Sequence, residues 1–325
     1  MNRSAEDAMK PSHFLRRVLA ILVVALTCVL PSLAQDNADA GTVPVRMTVT
    51  ATVVGKREMP DLTRQDIMVK RGKDRLKVTN WIKATGNDAA LALCILIDDA
   101  SSTNLGSQLD DVRAFINAQP PTTSIAVGYM SNASVNIVQE FTSDHALATK
   151  ALRLPLGSTG AYGSPYLSLM DLMKRWKSNV ARRAVLMVTD GIERSGGFGG
   201  GMGLPPNASS ASDVTQRYGA QVYTIYYPGV GRAGRSFYTA NNAQNALSQL
   251  SDQSGAESFF LGLGTPVSIK PYLDNMQKLL DNQYIVEFLA KPGKKAGLQS
   301  VKISTEVPGV ELEAADNVWV PAAAQ

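Results

Sequence analysis

Two carboxylates and two hydroxyls follow directly on an apolar run of this chain. Asp98, Asp99, Ser101 and Ser102 come after the unbroken apolar segment 91–97, which is typical of a central strand covered on both faces. The carboxyl end of such a strand is where open α/β sheets bind their ligands. Because carboxylate and hydroxyl oxygens are the ligands that Mg²⁺ and Ca²⁺ prefer, the segment predicts a cation site at a sheet edge.

A second apolar run ends in the same way about 90 residues later. Segment 185–189 is followed directly by Asp190. Since parallel strands end at the same edge of a sheet, we expect Asp98 and Asp190 to lie close together. Between them in the chain, Ser164 precedes Pro165, and proline is favoured at the first position of a helix. This pattern predicts a further hydroxyl at a helix start.

These elements resemble the von Willebrand factor type A domain, in particular that of the secreted bacterial proteins called VWFA-related. That family has Asp-x-Ser-x-Ser after the first strand, a Thr in a later loop, which Ser164 replaces here, and an Asp after a later strand. The resemblance implies that Mg²⁺ or another divalent cation is held by four side chains: Asp98, Ser102, Ser164 and Asp190. It also implies that an acidic side chain of a protein partner completes the coordination. Ala100 stands where the family has a ligating Ser, so one hydroxyl is missing.

The register of the first motif has an alternative. A shift by one residue gives Asp99-x-Ser101-x-Thr103, which is a complete motif. That shift requires a bulge at the strand end, because neighbouring side chains of a strand point to opposite faces. Asp98 is favoured because it follows the apolar run directly.

The middle ligand and the occupancy of the site have alternatives as well. Thr159 competes with Ser164, and the following Pro165 favours Ser164. The alternative to a metal site is a degenerate one, in which Asp98 and Asp190 cap helices and bond the loops. In that case the protein is a metal-free interaction scaffold.

The N-terminus has the pattern of an export signal. Arg16 and Arg17 precede the apolar stretch 18–30. Ser32 and Ala34 then supply the small residues that a cleavage site has at positions −3 and −1. We expect cleavage after Ala34 and a secreted or periplasmic protein. The alternative is an uncleaved N-terminal anchor; no other apolar run is long enough to span a membrane.

The strand and helix patterns predict an α/β fold with a doubly wound, mostly parallel sheet, like that of von Willebrand type A and Rossmann domains. A small flanking β domain is expected from N- and C-terminal segments. The predicted divisions are 1–34 signal peptide, 35–42 flexible lead-in, 43–88 β segment, 89–281 type A domain, 282–321 β segment packing with 43–88, and 322–325 tail. The alternative organisation has two separate hairpin extensions instead of one β domain.

Composition excludes some classes of function. Charged residues are 18% and apolar residues 45% of the chain, as in a folded body. The net charge of +4 falls to +2 without residues 1–34, so we expect no nucleic-acid partner. Cys94 is the single cysteine after the predicted signal and is expected to be buried and inert.

The sequence favours binding over catalysis. It contains no Gly-x-Ser-x-Gly and no His-Glu-x-x-His motif, so we predict no enzyme; a hydrolase that uses His145 is the alternative. The glycine-rich segment 196–203 is expected to form a loop at the ligand edge. We therefore predict an exported, adhesion-like protein that recognises an unknown protein partner at the carboxyl edge of its sheet.

Overall fold

The computed structural model describes residues 41–55, 58–158, 163–180, 182–194, 205–230, 236–260, 262 and 264–323. The predicted signal peptide (1–34), Thr159 and the glycine-rich segment 196–203 lie outside the described residues. The described residues from Thr42 onward form one compact unit.

Strands occur in both halves of this unit, and their bounds are as follows: β1 Val43–Val53, β2 Ile67–Arg71, β3 Asp74–Lys83, β4 Leu91–Asp98, β5 Thr123–Ser131, β6 Ser134–Thr142, β7 Arg182–Thr189, β8 Ala220–Tyr226, β9 Ser258–Phe259, β10 Gln283–Ala290, β11 Gly297–Ser300, β12 Lys302–Thr305, β13 Val310–Ala314 and β14 Asn317–Val320.

The α-helices lie between β4 and β10: α1 Leu109–Ala118, α2 His145–Lys150, α3 Pro165–Lys174, α4 Ala208–Tyr218, α5 Phe237–Ser254 and α6 Lys270–Asp281. Short 3₁₀ helices cover Arg64–Asp66, Gly86–Ala89 and Thr103–Gln108. In the part of the chain that the structure describes, no helix has the length and apolar character needed to cross a membrane.

The central sheet has the strand order β6-β5-β4-β7-β8-β9. Its neighbours pair in parallel except for the β5–β6 hairpin, which is antiparallel. This hairpin turns at Asn132 and Ala133, both with positive φ, as a tight two-residue turn requires. The predicted α/β fold with a mostly parallel sheet is confirmed.

Apolar side chains cover both faces of β4, as its unbroken apolar sequence predicts. Leu93, Ile95 and Ile97 belong to the core on one face, whereas Cys94 and Leu96 belong to the core on the other. Because the Cys94 thiol is fully buried, burial and then the charge of Glu140 raise its pKa to about 12. At neutral pH this thiol is protonated.

A second sheet contains strands from both ends of the chain, in the order β12-β2-β3-β10-β1-β13. Strands β11 and β14 form a two-stranded sheet, and Val318 and Val320 of β14 share a core with Val45 of β1 and Phe288 of β10. Segments 43–88 and 282–321 thus contribute strands to one sheet. Their separation from the rest of the chain as an independent domain stays a prediction.

A partly open cavity of about 570 Å³ lies where α5 ends close to β13. Asp252, Glu257, Glu313 and Asp316 line it together with Lys302. Burial, and then the charge of Glu313, raise the pKa of Glu257, although Asn275 donates to its carboxylate at 3.1 Å. The ionised form of Glu257 is therefore less favourable in the folded state than in the unfolded one.

Replacing Glu257 with Gln is expected to stabilise the protein at neutral pH. The folded-state pKa of Glu257 is raised, so its contribution to stability is present below its ordinary value of 4.5 and is lost as the pH rises through the folded pKa. Gln removes the charge and keeps an acceptor for Asn275. We expect a gain of less than about 1 kcal/mol, because solvent screens the cavity. Urea denaturation across this pH range should show the gain shrinking as the pH falls; Glu306→Gln, outside the cavity, serves as the control.

Candidate functional site

The carboxyl ends of β4 and β7 are adjacent and form the floor of the candidate site. The two strands pair in parallel, with Ile97 opposite Val188. Asp98 ends β4, and Asp190 directly follows β7. Strand β4 lies between β5 and β7. The chain adds β5 and β6 on one side of β4 and then β7, β8 and β9 on the other, and open α/β sheets bind ligands at such a reversal of strand order. The structure brings Asp98 and Asp190 to one edge.

The Asp98 carboxylate is buried and bonded within the protein. The Thr189 hydroxyl donates to its Oδ2 at 2.7 Å, and the Ala100 amide donates to its Oδ1 at 2.8 Å. Burial, and then the charge of nearby Asp190, raise the pKa of Asp98 above its ordinary value, because both disfavour the ionised form. Asp98 therefore ties the end of β4 to the end of β7.

The neighbouring Asp99 forms an ion pair with Arg153. Arg153 donates to both Asp99 oxygens, Nη1 to Oδ1 at 2.7 Å and Nη2 to Oδ2 at 2.9 Å, and the Leu156 amide donates to Oδ1 at 3.2 Å. The Arg153 guanidinium also lies 3.7 Å from the centroid of the Tyr129 ring. Asp99, the first ligand in the shifted register, is thus occupied by a bidentate ion pair.

Asp190 is paired with Arg194, four residues further along the chain. Arg194 Nη1 donates to Oδ1 at 3.2 Å, Nη2 donates to Oδ2, and the Ile192 amide donates to Oδ1 at 3.0 Å. The side chain of Asp190 is 1% exposed and that of Arg194 is 15% exposed. A planar guanidinium matches the two oxygens of a carboxylate. The edge therefore contains a cation that belongs to the protein.

Charges around Arg194 outweigh the effect of burial on its protonation. Burial lowers the pKa of Arg194, whereas the charge and hydrogen bonds of Asp190 and the charge of Asp98 raise it, and the net pKa is raised. The guanidinium is therefore charged at neutral pH.

Backbone contacts from two other loops fix the position of this ion pair. The Gly163 amide donates to the Arg194 carbonyl at 3.1 Å, and the Arg194 amide donates to the Gly163 carbonyl at 2.5 Å. A β-carbon on Gly229 would lie 2.2 Å from Asp190 Oδ2, so only glycine allows the backbone to approach this closely. The Val230 amide donates to the Ala100 carbonyl at 2.8 Å. Loops that follow β4, β7 and β8 thus meet around Asp190 and Arg194.

Ser164 lies at the start of α3, as the Ser-Pro pattern predicts, but its hydroxyl has other partners. Its Oγ accepts the Leu167 amide at 3.1 Å, which caps the helix, and donates to Glu193 Oε1. The buried Glu193 also accepts from the amide and the side chain of Asn207, at 2.9 and 2.7 Å. Ser164 therefore joins α3 to the segment that carries Arg194.

Ser102 caps the short 3₁₀ helix that follows β4. Its Oγ accepts the Asn104 amide at 3.3 Å, and its own amide donates to the Pro228 carbonyl at 3.1 Å. Each of the four predicted ligands thus lies at the expected edge and has partners within the protein.

These four side chains do not fit a divalent cation as they are arranged. A guanidinium holds both oxygens of Asp190, Ser164 bonds Glu193, and Ala100 supplies no hydroxyl. Among the described residues, no three His, Cys, Asp or Glu side chains are grouped so that they could hold a metal ion. The arrangement favours the metal-free alternative.

The sequence reasoning missed three residues of this edge. Arg194 could have been found, because it follows Asp190 at a spacing of four just after a strand, and the adjacent Glu193 stands in the same segment. Arg153 has no local signal, since 54 residues separate it from Asp99.

His145 lies at the opposite edge of the sheet. Its Nε2 is 2.9 Å from the carbonyl of Thr123, which pairs with Leu91 at the start of β4, whereas Asp98 is at the end. The eight residues of β4 separate the two edges by roughly 20 Å. His145 is therefore too far from Asp98 and Asp190 to act together with them.

Exposed apolar side chains concentrate at the carboxyl edge. Of the nine large apolar side chains that are exposed in the described residues, six lie on segments at this edge; we call them the apolar rim: Leu154, Leu156, Phe237, Tyr238, Phe260 and Val267. The Leu156 amide contacts Asp99, and α5 begins with Phe237 and Tyr238 after β8. Phe260 directly follows β9, and Pro266, next to Val267, accepts from Gln108. Their exposed fractions range from 41% to 100%.

No family model and no curated protein matches the sequence. Solved structures that resemble it include a von Willebrand factor type A protein from Catenulispora acidiphila, at 12% identity and TM-score 0.40, covering 87% of this chain and 75% of that chain. Several of the similar structures are von Willebrand type A domains. The resemblance predicted from the Asp98 and Asp190 motifs is confirmed to that extent.

Two further similar structures match different shares of this chain and of their own chains. An aerotolerance-related membrane protein from Bacteroides fragilis is 11% identical, with TM-score 0.42, and the match covers 59% of this chain and 99% of that chain. The pilus adhesin SpaC from Lactobacillus rhamnosus GG is 9% identical, with TM-score 0.43, and the match covers 82% of this chain and 48% of that chain.

Proposed function

We propose that this is an exported, non-enzymatic binding protein that recognises a protein partner at the carboxyl edge of its central sheet, without a bound metal ion. The apolar rim is the observation that carries the proposal. Large apolar side chains that gather at one edge of a sheet are typical of a protein interaction surface. Export rests on the N-terminal sequence pattern of residues 1–34.

The metal-free form of this function is favoured over the metal-assisted one. The family resemblance implies a cation that binds an acidic side chain of the partner, and such a cation would have to displace Arg194 from Asp190. Displacement would cost several kcal/mol, because it would leave a guanidinium without the buried carboxylate that it now pairs with. Contact with the partner is therefore assigned to the apolar rim.

A hydrolytic function has no support from the site geometry. His145 is at the other edge, and Ser164 and Ser102 cap helices. A nucleophile needs a base within hydrogen-bond reach and access to substrate. Ser102 Oγ accepts from a backbone amide, and Ser164, whose hydroxyl donates to Glu193, is buried.

Photo-crosslinking in the exporting cell tests the proposed surface. With benzoyl-phenylalanine in place of Phe237 or Leu156, we expect a discrete crosslinked protein of higher mass, because both side chains project from the apolar rim. Val54, which is 56% exposed at the end of β1, provides a matched control that should yield no such product. Equal crosslinking from all three positions, or none from Phe237 and Leu156, would contradict the proposal.

A further inference from the structure

The Asp190 and Arg194 pair lies where two carboxylates converge on one sheet edge. Asp98 and Asp190 are 6% and 1% exposed, and two buried carboxylates repel each other unless a cation lies between or beside them. In a site built for Mg²⁺, the ion would supply that charge and would retain several waters. Here Arg194 donates to both oxygens of Asp190.

The surroundings of Arg194 leave the carboxylate no room for a second cation. Gly229 packs against Asp190 Oδ2, and Arg194 Nη2 would lie 2.9 Å from a β-carbon at Gly229. On the other side, the backbone of Arg194 forms two hydrogen bonds with Gly163, the residue before Ser164. The guanidinium is thus held by both oxygens of Asp190 and lies against Gly229, on a backbone that Gly163 fixes, so it acts as part of the fold.

We propose that Arg194 is a resident cation that replaces the divalent ion of this edge: it neutralises Asp190 and holds the loops after β4, β7 and β8 in one fixed arrangement. The inference rests on the proposed function in its choice of this edge as the recognition surface, and it explains why recognition there needs no metal. An ion pair at another place in the protein would not prevent a divalent ion from binding at this edge. The response of the protein to added divalent ions therefore tests the proposal.

The test is thermal unfolding of the purified protein with and without MnCl₂, at constant ionic strength adjusted with NaCl. We expect the Tm of the wild type to be unchanged by Mn²⁺. Arg194→Ala should have a lower Tm without metal, and Mn²⁺ should raise it by at least about 2 °C, because the uncovered carboxylates can then bind the ion. Arg175→Ala removes an i,i+4 partner of Asp171 at the surface and serves as the matched control, with no response to Mn²⁺.

Each outcome decides the proposal. A wild type whose Tm rises with Mn²⁺ would overturn it, as would an Arg194→Ala protein that responds no more than the wild type. If Arg194→Ala does not fold in metal-free buffer, refolding is repeated with MnCl₂: recovery of folded protein supports the proposal, and no recovery contradicts it. This experiment contains no partner, so its failure is distinct from a failure of the crosslinking at the apolar rim.

Discussion

Replacing Arg194 with alanine is expected to lower the free energy of unfolding by about 3–5 kcal/mol in metal-free buffer. The substitution leaves the carboxylate of Asp190 buried, next to the carboxylate of Asp98, with no cation between them. It also removes one of the two side chains against which Gly229 packs. Urea denaturation followed by circular dichroism measures this loss, and an unchanged slope with urea would show that the unfolded state is the same.

A matched control separates burial from ion pairing as such. Arg175 and Asp171 form an i,i+4 pair like that of Arg194 and Asp190, but their side chains are 46% and 30% exposed. Surface pairs of this kind contribute about 0.5 kcal/mol or less, and Arg175 also donates to the Val135 carbonyl at 2.7 Å, so Arg175→Ala should cost about 1–2 kcal/mol, less than the loss expected at Arg194. Equal losses in the two variants would show that burial of Asp190 does not determine the stability of this edge.

Gly255→Ala is expected to lower the free energy of unfolding by about 2–4 kcal/mol. Gly255 ends α5 with φ +75°, and a β-carbon there would lie 2.5 Å from the backbone carbonyl carbon of Ala314 in β13. Alanine therefore adds the strain of a left-handed conformation to a collision of its β-carbon with the backbone of β13. The effect is measured by the same denaturation experiment.

Gly219 provides the control for backbone strain alone. It ends α4 with φ +61°, and nothing lies within 4 Å of the position that a β-carbon would take. Gly219→Ala should cost about 1 kcal/mol, the usual penalty for alanine in the left-handed region at a helix end. If Gly255→Ala costs no more than Gly219→Ala, the contact with Ala314 does not contribute to holding α5 against β13.

The convergence of Asp98 and Asp190 could be predicted because the pattern that determines it is local. Two largely apolar segments, 91–97 and 185–189, become neighbouring parallel strands, and the Asp after each segment lies at the same sheet edge. Ser164 at the start of α3 follows from the Ser-Pro sequence in the same way. Single strands and helix starts are set by short segments, which one sequence displays.

Apart from Arg194, the side-chain partners of these residues could not be predicted, because they depend on how loops close in space. Arg153 reaches Asp99 across 54 residues, and Glu193 reaches Ser164 across 29 residues. The pair of Asp190 and Arg194 lies within one segment, but the contacts of Gly163 and Gly229 with it come from separate loops. The residue types at this edge are compatible with a metal site, but in the folded protein the loops place Arg194 against Asp190 as an ion pair.

The second sheet shows the same limit at a larger scale. Alternating sequence in 43–88 and 282–321 predicts strands, and the structure has them, but the pairing of β1 and β3 with β10 joins residues about 200 or more positions apart. Such register cannot be read from either segment alone, because both partners are needed to define it.

Calorimetric titration of the wild-type protein with MnCl₂ tests most directly the claim that the carboxyl edge of the central sheet binds no divalent ion. We expect no heat beyond that of dilution, because Arg194 occupies Asp190 and the hydroxyl of Ser164 is bonded to Glu193. Saturable heat from one Mn²⁺ per chain that disappears in Asp190→Ala would contradict this expectation, and would show that the carboxylates hold a divalent ion after all.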